Sequence, residues 1–370
     1  LLTHSVPQFV GSPVVTTYSY DLAGRTLTVY DTAGQGLTYG LDSAKRVTSV
    51  AQSAPNISGT RTVTYELDKA GNKTRAIWPD SYYVSYQFDD LNRMTTVTEN
   101  GTFVLATYVW DPLSRRASLA YGNGTTQSYS YSKAGDLETH THSITGNSNT
   151  WTNSYTKAHQ LLSEAASNAA WVFQPAVNET TSYGSANNLN QYVTVTHAAN
   201  PMATLYYDGN GNLIDDGAWD FEYDAENRLT KATNATTGTT AQYLYDPMGR
   251  RQAKVVNNVT TSFLSDGAEE IAEYDGAGGL LRRYIPGPGT DQPIAMVTPS
   301  GGSHLHSYFH TNRQGSTVAM SNDAGTVSEG PYTYDAYGQG PPSTGVPFKY
   351  TGRRLDPETG LYYYRARYYS

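Results

Sequence analysis

A chain of 370 residues with net charge −8, 25 Lys plus Arg and no cysteine offers no disulfide, no thiolate metal site and no clustered basic surface for nucleic acid. No run of about 18 apolar residues exists, so no segment reads as a membrane-crossing helix. The 32 Tyr, 34 Gly and 16% charged residues predict an all-β protein, because Tyr and Thr favour strands while Gly, Asn and Asp favour turns. The absence of cysteine is compatible with bacterial export but fixes no compartment. The chain opens at Leu1 without a signal-like stretch, so it is expected to be a fragment whose targeting signal is unreadable.

From the N-terminus onward one motif recurs: aromatic, Asp, two variable residues, Gly or Asn, then often Arg. It stands as Tyr20-Asp21-Leu22-Ala23-Gly24-Arg25, Phe88-Asp89-Asp90-Leu91-Asn92-Arg93, Tyr223-Asp224-Ala225-Glu226-Asn227-Arg228 and Tyr245-Asp246-Pro247-Met248-Gly249-Arg250. Looser copies begin at Tyr30, Leu41, Leu67, Trp110, Tyr131, Tyr155, Tyr207, Tyr274 and Tyr334. Starts at 67, 88, 110, 131 and 155 give steps of 21, 22, 21 and 24 residues, the self-similarity of a repeat architecture.

Within one copy, Val63, Tyr65 and Leu67 alternate with polar residues, the period of a half-buried strand. Asp68-Lys69-Ala70-Gly71 then turns the chain, the Asp accepting from amides ahead of it and the Gly (or Asn) taking positive φ. A second strand leaves over 72–77, so each repeat is predicted to be a β-hairpin. Aromatics two apart, such as Tyr18/Tyr20, Tyr86/Phe88 and Tyr108/Trp110, share a face and should build ladders by packing. The rival reading of those rings is a carbohydrate platform. A ribbon of hairpins must hide its edges, and a period near 21 fits a wide spiral sheet better than a parallel β-helix.

Four regions follow: repeats over 1–140, degenerate repeats or an insertion over 141–205, repeats again over 206–302, and a distinct block over 303–370. Residues 159–170 (HQLLSEAASNAA) form the only helix-like run. Pro286-Gly287-Pro288-Gly289 separates the second array from the last block.

That block carries Tyr308-Phe309-His310-Thr311-Asn312-Arg313-Gln314-Gly315-Ser316-Thr317-Val318, Tyr334-Asp335-Ala336-Tyr337-Gly338 and the run from Tyr350-Thr351-Gly352-Arg353-Arg354-Leu355-Asp356 to Tyr368-Tyr369. With the repeats before it, the chain resembles the RHS/YD-repeat proteins over nearly its whole length: bacterial Rhs polymorphic toxins, the C subunits of insecticidal toxin complexes and, more distantly, teneurins. The resemblance implies an all-β spiral of hairpins forming part of a hollow, cocoon-like shell, with 303–370 as a core plug truncated at its C-terminus. It implies a structural role, enclosing a downstream toxin or effector segment of a protein that is secreted or at the cell surface. Partners would be that segment and secretion-system or other shell components; no cofactor, metal, nucleic acid or membrane span is expected. The alternative is an extracellular YD-repeat scaffold for adhesion or self-assembly.

In several members of that family two aspartates, each in a D-P-x-G-L-like motif, cut the chain. Asp356 matches the first, although Asp356-Pro357-Glu358-Thr359-Gly360-Leu361 is one residue longer than the short pattern. The second would lie beyond Ser370. An aspartic pair works because two carboxylates share a proton, so Asp356 alone is a half-site and this chain is not expected to act as an enzyme by itself. The competing reading makes Asp356 a turn residue like Asp111 and Asp246, which also precede Pro.

Other constellations are plainer. His304, His306 and His310, and His140 with His142, have spacings that could hold a metal but no carboxylate at a supporting offset, so sheet or surface histidines are expected. Gly276-Ala277-Gly278-Gly279 reads as a hairpin turn, not a phosphate loop. Over 362–369 a single strand would place Tyr362, Tyr364, Ala366 and Tyr368 on one face and Tyr363, Arg365, Arg367 and Tyr369 on the other, stacking Arg on Tyr to anchor the block.

Overall fold

Most copies of the motif close a hairpin by the same chemistry, with the hydroxyls of Ser132 and Thr156 standing in for the carboxylate in two of them. At 89–93, Asp89 Oδ1 accepts from the amides of Leu91 (3.0 Å) and Arg93 (2.9 Å), while Oδ2 accepts from Arg93 Nε (2.7 Å). Asn92 takes φ 58° where other copies place Gly24 (φ 79°) or Gly249 (φ 78°), the left-handed conformation those residues tolerate best. Asp111, Asp224 and Asp246 accept in the same pattern. The Arg also reaches the next turn: Arg46 Nη1 donates to Asp68 O (2.5 Å) and Arg93 Nη1 to Asp111 O (3.1 Å). A row of turns is thereby bolted along one rim of the ribbon.

The computed structural model describes residues 2–6, 14–54, 57, 59–175, 180–197, 202–340 and 345–369. Leu1 and Ser370, the limits of the first array and of the last block, lie outside them. Fifteen antiparallel strands, from Leu2–Val6 to Leu161–Ala166, pair in strict chain order to form a first sheet. A three-stranded sheet (Thr181–Tyr183, Thr194–His197, Ala203–Thr204) leads to a second long sheet. This one has thirteen strands, again in chain order, from Tyr206–Tyr207 to Val327–Glu329. Arg354–Asp356, Leu361–Tyr363 and Tyr368–Tyr369 make a small C-terminal sheet.

The helix-like run is a correction. Leu161–Ala166 is a strand, paired from Trp151↔Ala166 to Tyr155↔Leu161, with only a short 3-10 turn at Ala169–Trp171. Thr156-Lys157-Ala158-His159 is itself a repeat turn, with His159 at φ 59°. The free edge of Asn149–Tyr155 takes the following segment because its backbone groups need partners. The run at 362–369 also bends: Arg365 sits at φ 60°, and Tyr363 comes to lie opposite Tyr368. It is a hairpin, not a single strand.

The layers stack. Val63, Tyr65, Val84, Tyr86 and Val97 of the first sheet pack on Leu264, Ile271, Ala272, Ile285 and Tyr308 of the second. Between these layers Gln52 Nε2 donates to Ser265 O (2.6 Å), Arg61 Nη1 to Ser262 Oγ (2.8 Å) and Trp78 Nε1 to Ile271 O (3.2 Å). The second sheet's other face is covered by the C-terminal segment. There Phe348 meets Tyr284 at 4.7 Å and Tyr368 meets Tyr243 at 5.1 Å between ring centroids. The first sheet's outer face carries cross-strand hydroxyls, with Ser118, Ser128, Thr141 and Thr150 opposite one another in turn. Between the long sheets an open cleft of about 230 Å³ is lined by Trp78, Tyr86, Phe88, Met94 and Ile271.

Candidate functional site

The C-terminal hairpin delivers Asp356 into the second sheet. Arg354–Asp356 pairs with Leu361–Tyr363, and the intervening turn closes through Asp356's carbonyl, which accepts from the amide of Gly360 (2.8 Å). The carboxylate turns inward. Asp356 is 0% exposed, with Oδ2 2.5 Å from Arg251 Nη1 and Oδ1 3.2 Å from Lys254 Nζ. Unlike Asp111 and Asp246, whose carboxylates accept from their own turns, Asp356 spends its side chain on cations of another layer.

Around it is a ring of buried charge. Lys254 also holds Glu358 (2.9 Å), Arg354 pairs with Glu270 and Glu273, and Glu270 approaches Arg251 at 3.7 Å. The Arg251 guanidinium lies over the Tyr363 ring at 4.3 Å and donates to Tyr368 Oη (3.2 Å). Burial alone would raise the Asp356 carboxyl, but Arg251 and then Lys254 outweigh it and hold it below the usual carboxylate range. Glu273, likewise pushed up by burial, is brought down to about 2 by Arg354 and Arg282. Such a site keeps Asp356 ionised, so it suits a base or an anchor and not a proton donor. Glu358 is separated from it by Lys254, which contacts both.

Sequence reasoning found Asp356 but not Arg251, Lys254, Glu270, Glu273 or Arg354. The available signal was the doubling of charge where a strand should alternate: Arg250-Arg251, Glu269-Glu270 and Arg353-Arg354.

The histidines lie elsewhere. His304 and His306 meet Glu99 of the first sheet (2.5 and 2.6 Å), and His306 also meets Asp323 (2.8 Å), carboxylates that local spacing could not supply. His310 faces His142. Among the described residues no group of three or more His, Cys, Asp or Glu is arranged to hold a metal ion. Gly276-Ala277-Gly278-Gly279 is the expected turn, with Asp275 Oδ1 accepting from Ala277 and Gly279.

Residues 223–262 match the family model described as RHS Repeat. The tRNA3(Ser)-specific nuclease WapA of Bacillus spizizenii is 32% identical over 196 residues, covering 50% of this chain and 8% of its own length. Double-stranded DNA deaminase toxin A of Burkholderia cenocepacia is 24% identical over 409 residues, covering 96% of this chain and 28% of its own. A crystal structure described as TcdB2-TccC3-TEV superposes with TM-score 0.54 at 14% identity, over 97% of this chain and 26% of that one, a likeness of fold. The chain therefore spans less than a third of each of these proteins. Among the described residues no helix is long and apolar enough to cross a membrane.

Proposed function

Because this chain is an RHS-repeat protein, we propose that it is wall and end-piece of a secreted or cell-surface shell that encloses a toxin or effector segment carried on the same polypeptide. The observation that carries the reading is the architecture of one motif: hairpin after hairpin in chain order, bolted along a rim, with the C-terminal block folded back onto the inner layer. Such a ribbon can be lengthened one hairpin at a time. The cleft of about 230 Å³ between the sheets is the size of a few side chains, so a lumen requires wall beyond these residues. That the relatives include a nuclease and a deaminase toxin, each far longer than this chain, supports the same reading.

Within it, Asp356 is proposed as the ionised member of an aspartate pair whose second carboxylic acid comes from downstream chain. Its burial and its cation partners support the ionised state.

Two measurements test this. Electron microscopy of the intact gene product should show hollow particles, with chain beyond residue 370 protected from protease; filaments or an unprotected tail would favour the scaffold. Intact mass should show a cut in the wild type and none in Asp356→Asn. If both stay whole, Asp356 is an anchor only.

A further inference from the structure

Five of the chain's eight histidines line the seam between the two long sheets: His140, His142, His304, His306 and His310. They fall into two groups with opposite chemistry. Strand Ser303–Thr311 contributes to both, because its even-numbered side chains face the first sheet.

At one end, His142 Nδ1 lies 3.3 Å from His310 Nδ1, and the His140 ring lies tilted against His142 with centroids 4.4 Å apart. All three are buried, at 2%, 0% and 0% exposure for His140, His142 and His310. Among the described residues no hydrogen-bond partner stands at His140 Nδ1 or His142 Nε2 by distance and angle, and the Thr311 backbone, which lies against His142, is the one group there that favours a charged ring. The surroundings are rings and neutral groups: Trp151 and Trp171 within 5.2–5.6 Å of His142, Gln127 on His140 and Ser321 on His310. The ionisable groups facing the cluster from the neighbouring strands are Arg116 and Tyr121 on Arg116–Tyr121, and Tyr129 on Thr126–Tyr131. Burial keeps both tyrosines neutral, so the charge that acts on the cluster is a cation. At the other end, Glu99 bridges His304 and His306, with Asp323 on the second ring.

We propose that the His140–His142–His310 cluster is an acid-operated release for this seam. On protonation it parts the sheets locally, while the Glu99–His304–His306 contact at the other end of the strand holds and acts as the hinge.

The signs agree with the geometry. Burial, and then Arg116, push His140 down to about 3 from an ordinary 6.5, and burial takes His310 to about 3 as well; burial also lowers His142, with the neighbouring imidazoles adding to it and the Thr311 backbone opposing it. A group depressed in the closed state contributes stability above its ordinary value, lost as pH falls below 6.5. Between pH 7.5 and 5 each such imidazole shifts the closed-to-open ratio by about 30-fold, so His140 and His310 together give about 10³-fold. His306 runs the other way. Burial would lower it, but hydrogen bonds to Glu99 and then Asp323 raise it, so its contact is complete below 6.5 and fades only as pH rises.

Hydrogen exchange of the intact gene product, resolved by peptide and corrected for intrinsic rate, tests this at pH 7.5 and 5. Protection over 137–143 and 308–311 should fall by about 10³-fold on acidification, while 94–99 stays protected. Unchanged protection over 137–143, or equal loss in all three segments, overturns the proposal. The double variant His140→Gln/His310→Asn should flatten the pH response; a response as steep as the wild type's overturns the assignment. If that variant does not fold, His306→Gln decides: release should then occur at higher pH and include 94–99. Release at the wild-type pH with 94–99 still protected would remove the hinge.

Discussion

The two long sheets are built from one repeat and differ in how many faces they bury. On Arg61–Leu67 of the first sheet, Arg61, Val63 and Tyr65 are buried while Thr64 and Glu66 stand in water. On the second sheet Phe263 and Leu264 are both buried, as is every residue of Thr317–Ser321. The alternation of facing persists there, since Tyr308 and His310 face the first sheet while Phe309 packs toward the C-terminal segment. What changes is the environment of the second face. A sheet with one wet face needs only hydroxyls outward; a sheet between two layers must find partners for whatever polar group its repeat places there. In this protein those partners are ions, and the C-terminal block brings Arg354, Asp356 and Glu358.

The contrast can be broken at its strongest point. Asp356→Asn leaves Arg251 buried without its carboxylate and should cost about 3–5 kcal/mol, seen as a lower unfolding midpoint and early exchange over 354–363. Arg251→Met combined with Asp356→Leu should recover most of that loss. A neutral Asp356→Asn would mean that the block does not depend on this pair.

Alanine scanning of adjacent residues sharpens the same point. In the second sheet Phe263→Ala should cost about 3–5 kcal/mol and Leu264→Ala about 2–5, both visible in the denaturation midpoint. In the first sheet Val63→Ala should cost about 2 kcal/mol and Thr64→Ala less than about 0.5. Equal costs for Val63 and Thr64 would deny the wet outer face.

Acid should separate the two interfaces. Glu273 titrates near 2 in the folded chain against an ordinary 4.5, so its stabilising contribution is present above 4.5 and lost as pH falls toward 2. The C-terminal block should stay docked at pH 5, where the histidine seam is already failing, and release only below about pH 4.5. Exchange over 345–363 at pH 5 and 3 checks the order. The smallest effect is expected at a single turn: Asp89→Ala should loosen 89–93 and its contact to Asp111 locally, read as faster exchange there with little change in the global transition.

Local chemistry was legible and layer chemistry was not. The Asp-to-amide turn and the strand period act within about five residues and stand as read, and the positive φ falls on Gly or Asn in most copies, with Lys45, Ser114 and His159 taking it in others. The Arg of the motif was visible at a fixed place, yet its bond to the next turn spans 18 residues in Arg93–Asp111. Arg251 and Asp356 are 105 residues apart, and Gln52 and Ser265 are 213 apart; no local pattern pairs them. The helix-like run failed for a similar reason: Leu161-Leu162 and Ala165-Ala166 repeat every four residues, but an open strand edge beside them outweighs that propensity.

The strict chain order of the strands has a kinetic consequence. Each new hairpin meets the edge of the one made just before it, so no strand waits for a distant partner and loop closure stays inexpensive in entropy. A ribbon of this kind can lengthen as its polypeptide emerges, one hairpin at a time, from whichever end appears first. The contacts between layers, separated by about 200 residues, can form only after both ribbons exist. Assembly is therefore vectorial along the ribbon and delayed across it, and the face that the C-terminal block covers stays open until that block has been made.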